Sequence, residues 1–489
     1  MKYLAYRVPF LQDTAPILNL LRLPSAFCAL VMLSTGPSTL AAQSDQADAR
    51  MMAAQSNRIL AEKLDSIAGA GVRENSAVGI VAAVVKGKET LLLKAYGESD
   101  VEGDVPMTVT TVVPIGSVTK QFTAAAILQL RDAGKLSLDD EITRWLPEYE
   151  ARGNNVTLRH LLGHMAGVVN LGEMQELRAV QLMRNPNVSR DSVYNVIRRY
   201  PFQFPAGTMQ VYSNTGFWLL GLVIEKASGM TYEDYVEKRI FEPLGMSRSR
   251  YCNNSEQVPG RAHGYGMRSG MARRAPDIVH TGTYAAGAIC STVEDMITWL
   301  QALHGGKVLR PRSYAEMIAP SKLNDGTSTR YSMGLIVWKD SRGLQEIGHG
   351  GGGFGFSSQA WWHPDTQLAI VLLTNSEPDN TTAVAEALAA QVLPPARPVG
   401  AFTGDASLLA GTYKSEGRGG KEMVIAVTQT PRGLAFSVDG AAPNPLQWVE
   451  TWAFRRNASL LIFRRDGNSG PATELRFDTG GDHFILKRQ

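Results

Sequence analysis

Ser117 and Lys120 stand three residues apart in PIGSVTKQFTAAAILQL (residues 114–130), at the mouth of a run that is otherwise almost wholly apolar. Positions i and i+3 of a helix share a face, so this spacing lays the lysine amine beside the serine hydroxyl. A serine hydroxyl is a poor nucleophile unless a neighbour takes its proton. A lysine held partly out of water loses its preference for the charged form and can be that neighbour. The N-terminal end of a helix adds partial positive charge, which favours negative charge developing on the serine. An S-x-x-K pair alone is a weak signal, because a capping serine followed by a solvated lysine is the common case. Here the adjoining segment offers almost no other charge from which a solvated face could be built.

Two further segments carry matching chemistry. In QVYSNTGFWLL, Tyr212, Ser213 and Asn214 precede a second apolar run. A tyrosine near Lys120 would have its phenolate favoured by the cation, giving a base for the serine proton and later for water. Asn214 carries both an amide donor and a carbonyl acceptor, suited to a substrate carbonyl on one side and Lys120 on the other. Read blandly, the segment is a helix start capped by Ser213 or Asn214. The third segment, GHGGGGFGF (residues 348–356), is a glycine run entering a strand. Missing side chains let a substrate backbone approach closely, and a strand amide there joins the amide of Ser117 as a donor pair for an oxyanion. His349 is expected to point into the cleft. A flexible turn explains the glycines but not their placement before an aromatic strand.

These segments need a frame. The apolar run at 121–133 ends at Gly134 and the run at 217–227 ends at Gly229, both C-terminal helix signals. Ser291 and Glu294 form a capping box that opens a third helix running to Leu303. Residues 78–85 and 91–96 read as a hairpin across Lys86-Gly87-Lys88, and strands return at 334–338, 356–362 and 368–375. Strands at both ends with helices between them imply a mixed domain whose terminal strands share one sheet. Ile59, Leu60, Leu64 and Ile67 place a leading helix within 42–75. The proline-rich QVLPPARPVG leads into a linker at 394–403. Beyond it Leu434, Phe436 and Val438 alternate with small or polar residues, as do Leu475 with Phe477 and Phe484 with Leu486, so 404–489 reads as a small antiparallel barrel or sandwich.

The 489 residues are 44% hydrophobic and 19% charged, enough for a full core. The net charge of +3 is scattered, which leaves no electrostatic footprint for nucleic acid. Residues 1–42 read as a secretory signal: LPSAFCALVMLSTG is too short to span a bilayer, and TLAAQS suits cleavage near Ala41 or Ala42. The expected location is periplasmic or secreted, and membrane anchoring would follow only if that segment stayed uncleaved. Cys28 would leave with the signal, while Cys252 and Cys290 are either one disulfide or two buried thiols. His160 and His164, four apart, invite a metal reading, but HLLGH lacks the glutamate of a zinc protease. With no G-x-S-x-G and no P-loop either, the sequence calls for neither metal nor cofactor.

As a set, in this order, S-x-x-K, Tyr-x-Asn and the glycine strand resemble the penicillin-recognising serine hydrolases, specifically the class C β-lactamase-like family that includes D,D-peptidases, D-aminopeptidases and family VIII esterases. The resemblance extends to TLRHLLGHMAGV, FQFPAGTMQVYSN, YEDYVEKRIFEPLGM and ICSTVEDM and spans most of residues 78–393. It implies an α/β (α+β) fold over 43–393, with a central antiparallel sheet flanked by helices. LAGTYKS similarly resembles the lipocalin-like barrel appended to some relatives, here 404–489. The family implies Ser117 as acylated nucleophile, Lys120 and Tyr212 as the proton-handling pair, and Asn214, His349, Gly351 and Gly352 as substrate-binding residues, with the Ser117 and Gly352 amides as oxyanion hole. It carries the histidine-bearing segment without a metal. His349-Gly350-Gly351 stands where many relatives have Lys-Thr-Gly or His-Thr-Gly, so Gly350 brings no hydroxyl to a substrate carboxylate. The implied function is an exported serine hydrolase that cleaves an ester, amide or D-amino-acid peptide bond in a small-molecule or peptide substrate. A class C-like β-lactamase and a non-turnover penicillin-binding or sensor protein are the alternatives, and the C-terminal domain leaves room for a homo-oligomer.

Overall fold

Strand Gly79–Lys86 is buried on both faces: Val81, Ala83 and Val85 enter one core, Ile80, Ala82 and Val84 another. Side chains alternate across a strand, so a strand apolar at every position belongs in the middle of a sheet with layers on both sides. That is its place in the computed structural model, which describes residues 37–74, 76–174, 187–252, 258–340, 342–377, 380–395, 400–457, 459–467 and 470–489. The sheet runs Val105–Pro106, Glu89–Asp100, Gly79–Lys86, Leu368–Thr374, Phe356–His363, Gln345–Gly353, Ile336–Lys339. Every pairing is antiparallel, and Ile80 opposite Thr374 joins the two ends of the domain.

Helices cover both faces. Thr119–Asp132, Asn214–Ser228 and Val293–His304 supply the core on one side. Thr381–Val392, with Leu64 and Ala68 of the leading helix Pro37–Arg73, supplies the other. The serine helix is the most enclosed: Phe122 is fully buried, stacked 4.0 Å from Trp299 and edge-on to Phe241. Truncating it to alanine removes about 3–5 kcal/mol of stability and loosens the element that carries the chemistry.

The glycine signals hold, with Gly134 and Gly229 at positive φ just beyond their helices. Three expectations shift. The third helix is capped by Thr292, whose hydroxyl accepts from the Asp295 amide, so the cap lies one residue later than the Ser291 to Glu294 box. The glycine run does not merely enter a strand: Gln345–Gly353 is itself a strand, and Phe354 and Gly355 turn into the next. Helix Leu158–Leu162 ends before His164, which has φ 58°, so His160 and His164 do not share a helix face.

The C-terminal strands form a second sheet of nine, running from Asn444–Pro445 through Glu422–Thr430 and His483–Arg488 to Gln447–Glu450. The two outermost strands are consecutive in the chain, so the sheet curls into a nearly closed barrel. Leu434, Phe436, Leu475, Phe477, Phe484 and Leu486 fill it, as their alternation predicts, and Phe204 and Val211 of the preceding sequence join that core. Both sheets lie in one compact unit, Arg58–Gln489. Of the unit before it, residues 37–57 are described and helical. Residues 1–36 of the signal expected over 1–42, Cys28 among them, and residues 396–399 of the expected linker lie outside the described residues. Among the described residues no helix is long and apolar enough to cross a membrane.

Candidate active site

Ser117 sits in a single 3-10 turn, Gly116–Val118, immediately ahead of the helix rather than inside it. Residues three apart eclipse in such a turn, so Ser117 and Lys120 still meet, with Nζ 3.0 Å from Oγ. Gly116 has φ 51°, and a Cβ there would lie 2.9 Å from the amide nitrogen of Gly352. A Cβ on Gly351 would collide with the Ile115 carbonyl and come within 2.9 Å of the Ser117 nitrogen. Glycine is therefore required on both sides of this approach. It brings the backbones of Ser117 and Gly352 together where both line the cleft. Ser358 fastens the contact by donating to the Ile115 carbonyl at 2.8 Å. Behind the turn, Val113–Pro114 pairs with Ile289–Ser291, and a Cys252–Cys290 disulfide braces that strand.

Lys120 is fully buried. Its Nζ faces three oxygens: Ser117 Oγ, Asn214 Oδ1 at 2.7 Å and the Ala286 carbonyl at 2.8 Å. Among the described residues it joins no ion pair with a carboxylate, and burial holds its pKa well below the ordinary lysine value. A neutral amine has two N–H bonds and one lone pair. Asn214 Oδ1 and Ala286 O can only accept, so they take the two N–H bonds, and the lone pair falls to the one neighbour able to donate, the serine hydroxyl.

Tyr212 and Asn214 flank the start of helix Asn214–Ser228, with Ser213 at the N-cap position but making no side-chain cap. Lys120 Nζ lies over the Tyr212 ring, 4.8 Å from its centroid. Burial pushes the Tyr212 phenol up, with the Ser117 hydroxyl acting the other way. The loss of water that works against a charged Lys120 works against the expected Tyr212 phenolate as well.

His349 differs more from expectation. Its ring lies behind Tyr212, centroids 6.0 Å apart, with Nε2 3.1 Å from the Tyr331 hydroxyl. Burial, then the nearby Lys120, pushes its pKa down to about 3. It is not among the residues lining the serine cleft but faces an adjoining cavity with Arg330 and Gly480. At Gly350 a Cβ would face the Gln359 amide at 3.1 Å.

From sequence His164 is weighed only as a metal ligand and Asn170 is not singled out, yet both belong to the site. His164 accepts from the Ser213 amide through Nδ1 at 3.2 Å and packs 4.2 Å from the Tyr212 ring. Asn170 accepts from the Asn214 amide through Oδ1 at 3.1 Å and lines the cleft. The histidine-bearing motif HLLGH is the available signal for the first; nothing local marks the second.

The cleft encloses about 150 Å³. Leu171, Ile278, Phe354 and Phe356 give it apolar walls, while Ser117, Asn170, Asn214 and Thr283 supply polar groups; among the described residues no lining side chain is charged.

Known proteins share this fold. A sequence profile described as Beta-lactamase matches residues 64–393. Penicillin-binding protein 4* of Bacillus subtilis (strain 168) is 28% identical over 307 residues, 60% of this chain and 67% of that protein. A D-aminopeptidase of Brucella anthropi is 29% identical over 304 residues, 61% of this chain and 56% of its own length. The chain thus spans little more than half of that enzyme. Among solved structures, the crystal structure of SurE superposes with a TM-score of 0.61 at 26% identity, over 89% of this chain and 99% of that one.

Proposed function

This chain belongs to the Beta-lactamase family, and from that premise we propose that it is a serine hydrolase that cleaves an ester or amide bond, D-amino-acid peptides included, through an acyl-enzyme on Ser117. The observation that carries the reading is the buried Lys120 amine, which has three uncharged oxygens and, among the described residues, no ion-pairing carboxylate around it.

Ser117 Oγ attacks the substrate carbonyl carbon while its proton passes to the lone pair of Lys120 Nζ. Negative charge on the carbonyl oxygen is met by the amides of Ser117 and Gly352. Collapse breaks the bond to the leaving alcohol or amine, which takes a proton from the Lys120 ammonium or from the neutral Tyr212 hydroxyl beside it. Water then attacks the acyl carbon and gives its proton to whichever of Lys120 and Tyr212 gave one to the leaving group, and the serine oxygen takes a proton from the Lys120 ammonium as it leaves as the hydroxyl. Asn214 holds Lys120 through its carbonyl and offers its amide to the substrate. Uncharged walls favour a neutral, apolar acyl group.

Ser117→Ala decides the nucleophile. Hydrolysis of p-nitrophenyl butyrate and of a D-alanine p-nitroanilide by the full chain should fall to background, and unchanged hydrolysis would sink the assignment. Intact mass after brief exposure to a penicillin separates the alternatives: a lasting Ser117-dependent adduct supports a penicillin-binding site, and rapid loss of the drug without adduct supports a β-lactamase. Gly350, which offers no hydroxyl, weighs against efficient β-lactam turnover. Export is proposed on residues 1–42 alone, and the N-terminal sequence of the mature protein tests it.

A further inference from the structure

The polypeptide that fixes Tyr212 comes from the C-terminal barrel. The turn between strands Ala472–Asp478 and His483–Arg488 reaches the segment leading into helix Asn214–Ser228. Asp482 Oδ1 accepts from the Tyr212 backbone amide at 2.8 Å. On either side of that bond the His483 amide donates to the Gln210 carbonyl at 2.9 Å, and Gln210 Nε2 donates to the Gly481 carbonyl at 2.9 Å. Gly481 lies against the Tyr212 ring, where a Cβ would be 3.4 Å from Cδ2.

Asp482 is itself held. Arg418, from the barrel, donates to both of its carboxylate oxygens at 2.8 Å and to Glu173 Oε1 at 3.1 Å. Glu173 closes the turn Leu171–Glu173, whose first two residues line the serine cleft. One guanidinium thus ties the Tyr212 backbone to the cleft wall. Inside the turn, the Asp482 amide donates to Thr479 Oγ1 and the Thr479 amide to the Asp482 carbonyl, so the acceptor is preset before it meets Tyr212.

We infer that the barrel is a working part of the active site, with Asp482 a positioning residue that sets Tyr212 for proton transfer and Arg418 the strut that registers it against the cleft wall. This rests on the proposed Ser117 chemistry. Displacing a proton-transfer group by a fraction of an ångström changes turnover more than substrate affinity.

The test is steady-state ester hydrolysis by the full chain, with melting temperature recorded for each variant. Asp482→Ala should lower kcat about 10- to 100-fold with KM changed less than about 3-fold. Asp482→Asn keeps an oxygen for the Tyr212 amide while discarding the charge pair with Arg418, and should recover most of the loss. A role confined to docking the barrel predicts the reverse, with both variants equally slow in proportion to lost stability. If Asp482→Ala fails to fold, Gly481→Val presses on the Tyr212 ring from the barrel side and should lower kcat by about 10-fold without loss of the fold. Wild-type kcat in Asp482→Ala or Gly481→Val, or an Asn variant no better than Ala, overturns the inference. Ser117→Ala run alongside keeps the two ideas apart: if it retains activity, the serine chemistry itself is wrong.

Discussion

Lys120 beneath the serine and Arg330 beside the barrel are both cationic residues withdrawn from water, yet their surroundings are opposite. Arg330, with 13% of its side chain exposed, meets the carboxylate of Asp478 at 2.7 Å and also donates to that residue's carbonyl. Burial alone would raise the Asp478 carboxyl; the hydrogen bond from His483 and the Arg330 charge outweigh it and hold the carboxyl below its usual range. Lys120 meets only uncharged oxygens. A guanidinium cannot release its proton, so burying it demands a partner charge. An amine can, and burial without a partner pushes it to do so. The difference separates a cation that holds parts together from a base.

The comparison is broken most directly at Lys120. Lys120→Arg preserves charge and hydrogen-bond donors but not the lone pair, so Ser117-dependent ester hydrolysis should fall about 1,000-fold or more, as far as in Lys120→Ala. Substantial activity in the arginine variant would mean that Lys120 serves as a cation after all. Next in size is Asp478→Ala, which leaves Arg330 without its carboxylate and should remove about 3–5 kcal/mol of stability, read from urea unfolding at neutral pH. The sign with pH follows from the lowered folded pKa of Asp478. Its contribution is fully present above the unfolded value of about 3.9 and is lost as pH falls through the folded value. The deficit of Asp478→Ala should therefore shrink toward strongly acid pH; a constant deficit would sink the charge argument. A pH profile of kcat/KM supplies the third check: activity needs the unprotonated amine, so it should decline as pH falls through the Lys120 pKa, with that limb well below the usual lysine range. A limb near the ordinary lysine value would contradict the buried base. The smallest effect belongs to Phe217→Leu. That ring lies 5.6 Å from Lys120 Nζ, and a neutral amine loses no cation–π attraction when it goes. About 1 kcal/mol of stability and less than 3-fold in kcat are expected; a larger kinetic loss would indicate a resting ammonium.

What could be read in advance was whatever spacing or pattern makes local. Ser117 with Lys120, and Tyr212 with Asn214, are local pairs, and Gly134 and Gly229 end their helices as glycines at positive φ do. The double-sided burial of Gly79–Lys86 is visible in its unbroken apolar run. The remainder depends on meetings far along the chain. The third oxygen around Lys120 is the backbone carbonyl of Ala286, which no residue type announces. Asp482 sits in a turn, TGGD, that looks like any hairpin end, and only its approach to Tyr212 gives it a task. His349, expected to point into the cleft, has the rings of Tyr212 and Tyr331 beside it, which no local pattern announces. The glycine strand forms despite the poor strand propensity of glycine because the serine turn leaves no room for any Cβ at Gly351.

Strand Gly79–Lys86 pairs with Leu368–Thr374 across almost the whole hydrolase sequence. On a ribosome, the hairpin and the serine helix emerge early, but the inner strand keeps an unsatisfied edge until residue 374 has been made. The glycine strand arrives at 345–353, and the barrel turn that grips Tyr212 only at 478–483. A nascent chain released short of that point would carry Ser117 and Lys120 with an open sheet edge and no anchored tyrosine, so premature termination should yield aggregates and not a truncated hydrolase.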